Sequence, residues 1–202
     1  MSAPRIFSIG HSTHELPEFV GLLRAHRVEQ VADVRAYPGS RRLPWFSREA
    51  LSRELPEFDV LYVHLPKLGG RRRPSQDSAN AGWKVEGFRG YADYMGGAEF
   101  AAGVEALQAL ARERPTAMMC AEGLWWRCHR RLVSDALTVD GWEVVHIDPQ
   151  GAASTHELTP FAVPDAGRLT YPPAHWGRAD PSLSAGAALS SKSTRRRRAD
   201  RQ

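Results

Sequence analysis

Short apolar runs alternate along this chain with longer stretches of helical periodicity, and that alternation restricts the fold more than any other feature. Arg5-Ile-Phe-Ser-Ile-Gly10 is followed by Leu16, Phe19, Val20 and Leu23, the stripe of an amphipathic helix. Gln30 to Arg35 is a second run, and a short helix is expected from Ser47, a residue type favoured at N-caps, to about Leu55. Val60 to Leu65 is a third, closed by Leu68-Gly69-Gly70. Phe88, Tyr91, Tyr94 and Met95 mark another helix. Gly96-Gly97 interrupts it, and Phe100, Val104, Leu107 and Leu110 mark the next. Thr116 to Met119 and Trp142 to Ile147 complete the set, with Leu132, Val133, Ala136 and Leu137 between them. This spacing predicts an α/β fold: a layered sheet of about five mostly parallel strands with flanking helices, either Rossmann-like or a partial barrel.

With 202 residues the chain accommodates one domain with a core, placed here at residues 1–163. From Pro164 the composition shifts to Pro, Ser, Ala and Gly and ends in Arg195–Arg198, so residues 164–202 read as a largely disordered basic tail. Residues Arg71 to Gly87 are polar and aperiodic, which predicts a long loop, functional or mobile. No apolar run approaches the roughly 20 residues of a membrane span, so no membrane partner is expected. The two cysteines, eight positions apart, make a poor disulfide framework, and no leader-like segment opens the chain; a cytoplasmic setting is expected. The net charge of +4 favours polyanions as partners.

The chemistry concentrates between Pro115 and Arg131. Cys120, Glu122, Cys128, His129 and Arg130 fall at one strand-to-helix junction, and parallel sheets bind ligands beyond the carboxyl ends of their strands. Cys128, among Arg127, Arg130 and Arg131 at a helix start, has surroundings that favour a thiolate, with His129 or His11 as partner. The competing assignment makes both cysteines buried small hydrophobes, and it suits Cys120 best. Arg130 and the helix-start N–H groups form an anion site, or Arg130 pairs with Glu122 or Asp33. Either carboxylate is a candidate general base, and Arg35 shares a strand face with Asp33. Cys120, Cys128, His129, His11 and His146 are metal-ligand types, but no familiar zinc spacing appears. Adjacent Cys128 and His129 side chains are also expected to diverge, so no metal and no cofactor are expected. Gly69-Gly70 brings backbone close to a ligand or makes a turn. Arg41, Arg42 and Arg71 to Arg73 form basic loops, and Trp45, Trp83, Trp125 and Trp126 beside them either stack bases or cover the core.

Taken in order, Gly10-His11-Ser12, Asp33-Val34-Arg35 with Pro38 and Ser40, Leu68-Gly69-Gly70, Phe88 with Tyr91 and Met95, and Cys120-Ala121-Glu122 followed by Cys128-His129-Arg130 resemble the domain-of-unknown-function-488 family. The resemblance spans residues 5–149. This chain has Trp125 and Trp126 in the loop where that family often has a proline. The resemblance implies a compact α/β domain with the motif residues in one pocket, and it supplies no reaction. Residues and resemblance together nominate Cys128, Glu122, His11 and Asp33 as catalytic. They nominate Arg35, Ser12, Ser40, Gly69, Gly70, Tyr91, His129 and Arg130 as substrate-binding. The function expected is an enzyme acting on a phosphate-bearing substrate, a nucleic acid or nucleotide derivative. A non-catalytic nucleic-acid-binding module and a thiol or metal-dependent redox protein are the alternatives. The expected partner is an anionic or phosphorylated ligand, with nucleic acid held through the basic loops and Arg195–Arg198.

Overall fold

The apolar runs become the central layer of a three-layer α/β structure. We describe residues 3–39, 41–165 and 168–173 of a computed structural model. The elements are β1 (Arg5–Gly10), α1 (Leu16–Ala25), β2 (Gln30–Asp33), α2 (Arg48–Glu54), β3 (Leu61–His64), α3 (Glu86–Met95), α4 (Ala98–Glu113), β4 (Thr116–Cys120), α5 (Arg130–Val139) and β5 (Glu143–Ile147). Ser47 caps α2 as expected, its side chain accepting the Ala50 N–H. The sheet order is β3-β2-β4-β1-β5, every pairing parallel. A sixth strand, β6 (Ala153–Thr155), adds antiparallel to β5. Its three residues are exposed and carry no apolar pattern, which is why the sequence concealed it. The sheet is open, with β3 and β6 at its edges, so the partial barrel is not realised.

Strand alternation divides the core in two. Ile9, Val31, Ala117, Met119 and Ile147 pack with Phe19 and Leu23 of α1 and Leu51 of α2 on one face. Ile6, Ala32, Met118, Cys120 and Val144 meet α3, α4 and α5 on the other. Burying each large aliphatic side chain contributes about 1.5–3 kcal/mol, enough to hold both helix layers to the sheet.

The C-terminal boundary differs from the expectation. A hairpin of β7 (Val163–Asp165) and β8 (Arg168–Thr170) spans the position where the tail was placed, and Tyr171 behind it is fully buried. The Tyr171 hydroxyl donates to Asp135 (2.8 Å), and its backbone N–H donates to Asn80 (2.9 Å). Asp135, also buried, accepts from the Thr159 N–H and from His156 Nε2 as well, and His156 Nδ1 meets His146 Nε2 at 2.9 Å. Scattered polar residues and one tyrosine make this latch, and they leave no periodic signal. Arg195–Arg198 lie outside the described residues. The stretch from Arg71 is an irregular loop but is tied down: Ser75, Ser78 and Asn80 donate to Asp93 of α3, and Trp83 is buried against Phe88, Phe161 and Tyr171. Among the described residues no helix is long and apolar enough to cross a membrane.

Replacing Tyr171 by alanine removes a fully buried ring and the Asp135 hydrogen bond together, and should lower unfolding free energy by about 3–5 kcal/mol. Urea denaturation measures it. A loss below about 1 kcal/mol would show that the latch does not hold the C-terminal segment.

Candidate functional site

All five parallel strands end on one side of the sheet, and the loops that follow β1, β2, β3 and β4 surround a cleft of about 1020 Å³. Its floor is built by β4 and the start of α5. Cys120 is the last residue of β4 and points toward the α3–α5 face. Cys128 is extended (φ −122°, ψ 151°), whereas His129 is already helical (φ −57°, ψ −17°). That change of backbone state between neighbours turns both side chains toward Cys120, against the expectation that they diverge. His129 Nδ1 lies 3.6 Å from Cys128 Sγ and 4.0 Å from Cys120 Sγ. On its other side the His129 Nε2–H donates to the Val34 carbonyl at 3.0 Å. A Cβ on Gly70 would stand 2.9 Å from Nδ1, so glycine is what leaves room for the ring.

A hydrogen bond from the Cys120 thiol holds Cys128 well below the ordinary thiol range, against the cost of burial, and His129 and Arg130 add to it. Cys120, the donor, is raised well above it by the same bond and by burial. Cys120, although packed in the core, also lines the cleft beside Cys128 and His129.

A second network closes the other wall. Asp33 is fully buried and accepts from the Arg35 backbone N–H (3.0 Å), from Arg35 Nε (2.8 Å), from Arg35 Nη2 (2.6 Å) and from the Tyr62 hydroxyl (2.7 Å). It anchors Arg35, and with its oxygens engaged beneath that side chain it does not line the cleft as a general base would. Arg35 Nη1 faces His11 Nε2 at 3.2 Å, and His11 Nδ1 meets the Ser12 carbonyl at 3.1 Å while the ring stacks on Phe46. Burial first, and the Arg35 charge second, lower the His11 pKa to about 4.

The remaining nominated residues sort by position. Arg130 is fully buried: it donates to Ser8 Oγ and to the Glu122 and Gly123 carbonyls, so the anion site expected on its side chain is replaced by a clamp on the loop. Its expected pairing with the Glu122 or Asp33 carboxylate is not formed either; Glu122 is exposed, lines the cleft and accepts the Leu124 N–H. Ser12, Gly70 and His129 line the cleft as well. Gly69 lies beneath, packed on the Ala36 backbone. Tyr91 is buried, donates to the Leu68 carbonyl and supports the His129 ring from 5.1 Å. Ser40 lies outside the described residues. Of Trp45, Trp83, Trp125 and Trp126, only Trp126 lines the cleft. Trp45 donates to the His14 carbonyl, Trp83 is core, and Trp125 stacks on His146.

The rim is cationic. Arg42, Arg71 and Arg127 are exposed on the cleft, and no carboxylate among the described residues pairs with them. Tyr37 stands exposed beside them. Tyr37, Tyr62 and the Val34 carbonyl went unnoticed in the sequence, since only their strand-end positions connect them to the site.

Residues 15–137 match the model of the family described as Domain of unknown function DUF488. The match takes in Asp33, Arg35, Gly70, Cys120, Cys128 and His129, and leaves Gly10-His11-Ser12 outside. No curated protein and no solved structure shows significant similarity to the chain.

Because His11 resists protonation down to about pH 4 when folded and takes a proton near 6.5 when unfolded, the stability it contributes is present above pH 6.5 and is lost as pH falls toward 4. The full effect is about 3 kcal/mol. Thermal melts between pH 7 and 4 should show a shallower decline for His11→Gln than for wild type, and equal slopes would remove His11 as the cause.

Proposed function

The chain belongs to the DUF488 family, and on that premise we propose that it is an enzyme acting on a phosphate-bearing substrate, a nucleic acid or nucleotide derivative. The observation that carries this is the pairing, across one cleft, of a sulfur–imidazole cluster with three arginines that no described carboxylate neutralises. Arginines with unengaged donors hold phosphate through charge-assisted, often bidentate, hydrogen bonds. Trp126 and Tyr37 present exposed rings on which a base stacks. A substrate gripped this way lays its reacting group over Cys128, with Cys120 and His129 around it. Glu122, on the same wall, carries protons. Asp33 and Arg130 act through others: the first positions Arg35, the second positions the loop that leads to Cys128.

Anisotropy of a labelled single-stranded oligonucleotide, measured with the full-length chain across a salt series, tests the grip. Each phosphate contact contributes about 0.7 to the salt slope of a single strand, so Arg42→Ala/Arg71→Ala/Arg127→Ala should lower that slope by about 2. The C-terminal arginines are present in both proteins and cancel. An unchanged slope would sink the proposal. Mass analysis of the incubated oligonucleotide tests the chemistry: Cys128→Ser should abolish product while leaving binding within about twofold. Rim-dependent binding with no product from either protein would make the chain a binding module instead.

A further inference from the structure

The three atoms at the cleft floor have the spacing of a metal's ligand set. Cys120 Sγ, Cys128 Sγ and His129 Nδ1 all lie within 4.8 Å of one another, the nitrogen 3.6 Å and 4.0 Å from the sulfurs. Zinc binds thiolate at about 2.3 Å and imidazole at about 2.0 Å, and tetrahedral angles then separate sulfur from nitrogen by about 3.6 Å and sulfur from sulfur by about 3.8 Å. Closing this cluster around one ion needs only small side-chain adjustments. Both cysteines are free.

Two further features point the same way. The Nε2–H bond to the Val34 carbonyl fixes His129 from behind and turns Nδ1 to the sulfurs, and such a backbone partner is what orients a metal-bound imidazole. Gly70 withholds the side chain that would press on Nδ1 from the cleft side. We infer that Cys120, Cys128 and His129 form a three-ligand site for a zinc-type divalent transition metal, its fourth position turned to the cleft.

This deepens the proposed function and rests on the cleft being the reaction site. Two sulfurs and an imidazole select a borderline-soft ion over magnesium or calcium. Among the described residues no fourth His, Cys, Asp or Glu joins the cluster, and all three ligands line the cleft. The fourth position therefore falls to water or to a substrate oxygen. There the ion polarises a phosphoryl oxygen or the attacking water while Arg42, Arg71 and Arg127 hold the rest of the substrate. Loading releases the thiol protons still held and transfers no electrons.

The test titrates reduced, chelator-stripped full-length chain with Co²⁺. The expected result is thiolate-to-cobalt charge-transfer absorption that saturates at one ion per chain and is displaced by Zn²⁺. Cys128→Ser should abolish the band. Gly70→Ala, which keeps every ligand, should weaken binding about tenfold or more. A folded wild-type chain without the band overturns the inference, whatever the variants do. The rim variant Arg42→Ala/Arg71→Ala/Arg127→Ala should keep the band, which separates the two proposals. Rim-dependent oligonucleotide turnover without a band leaves the enzyme and removes the metal. A band with rim-independent oligonucleotide binding supports the metal and removes the phosphate substrate.

Discussion

A buried guanidinium holds this site together. Arg130 has no exposed surface, yet it sits at the start of α5 and reaches across to Ser8 on β1 and to the carbonyls of Glu122 and Gly123. A buried cation is tolerated only where acceptors surround it, so the loop that supplies those carbonyls is held in one conformation. That loop leads from Cys120 to Cys128. Its path also requires Gly10, where any side chain would run into the Glu122 carbonyl. Strand β1, the loop and helix α5 are thus fixed to one another before either thiol is considered.

The cleft has two polar walls of different character. On the α1 and α2 side, Asp33, Arg35, Tyr62 and His11 satisfy one another almost completely, and the wall is rigid and close to charge-balanced. On the α3 to α5 side, the two thiols and His129 converge on one another at the cleft floor, with no carboxylate among them. The exposed arginines complete the arrangement at the rim, where water solvates charges that no carboxylate among the described residues pairs.

Much of this was visible in the residues. Apolar runs such as Thr116 to Met119 are strands because they are short and lie between helical stripes, and Cys120 and Cys128 drew attention by sharing one junction. The roles were harder. Asp33 and Arg130 have the right chemistry for a base and an anion clamp, but burial turned both into supports. Burial depends on which loops close over a residue, and that is not encoded locally. His129 went the other way: read as diverging from its neighbour, it converges because the backbone changes state between Cys128 and His129. Tyr171 joined the core because Asp135 and Asn80, distant in sequence, offered partners to its hydroxyl and its backbone N–H.

By itself the sequence determined the class of fold, the strand-to-helix junction that carries Cys120, Cys128 and His129 and the surplus of arginine around it. These follow from periodicity and composition, which act over a few residues at a time. Tertiary structure decided the strand order, with β4 inserted between β2 and β1, and so brought Val34, Gly70, Cys120 and His129 to one point. It also decided which charges are sealed and which face the cleft. Both depend on contacts between residues tens of positions apart, where sheet order and loop closure determine what each side chain meets.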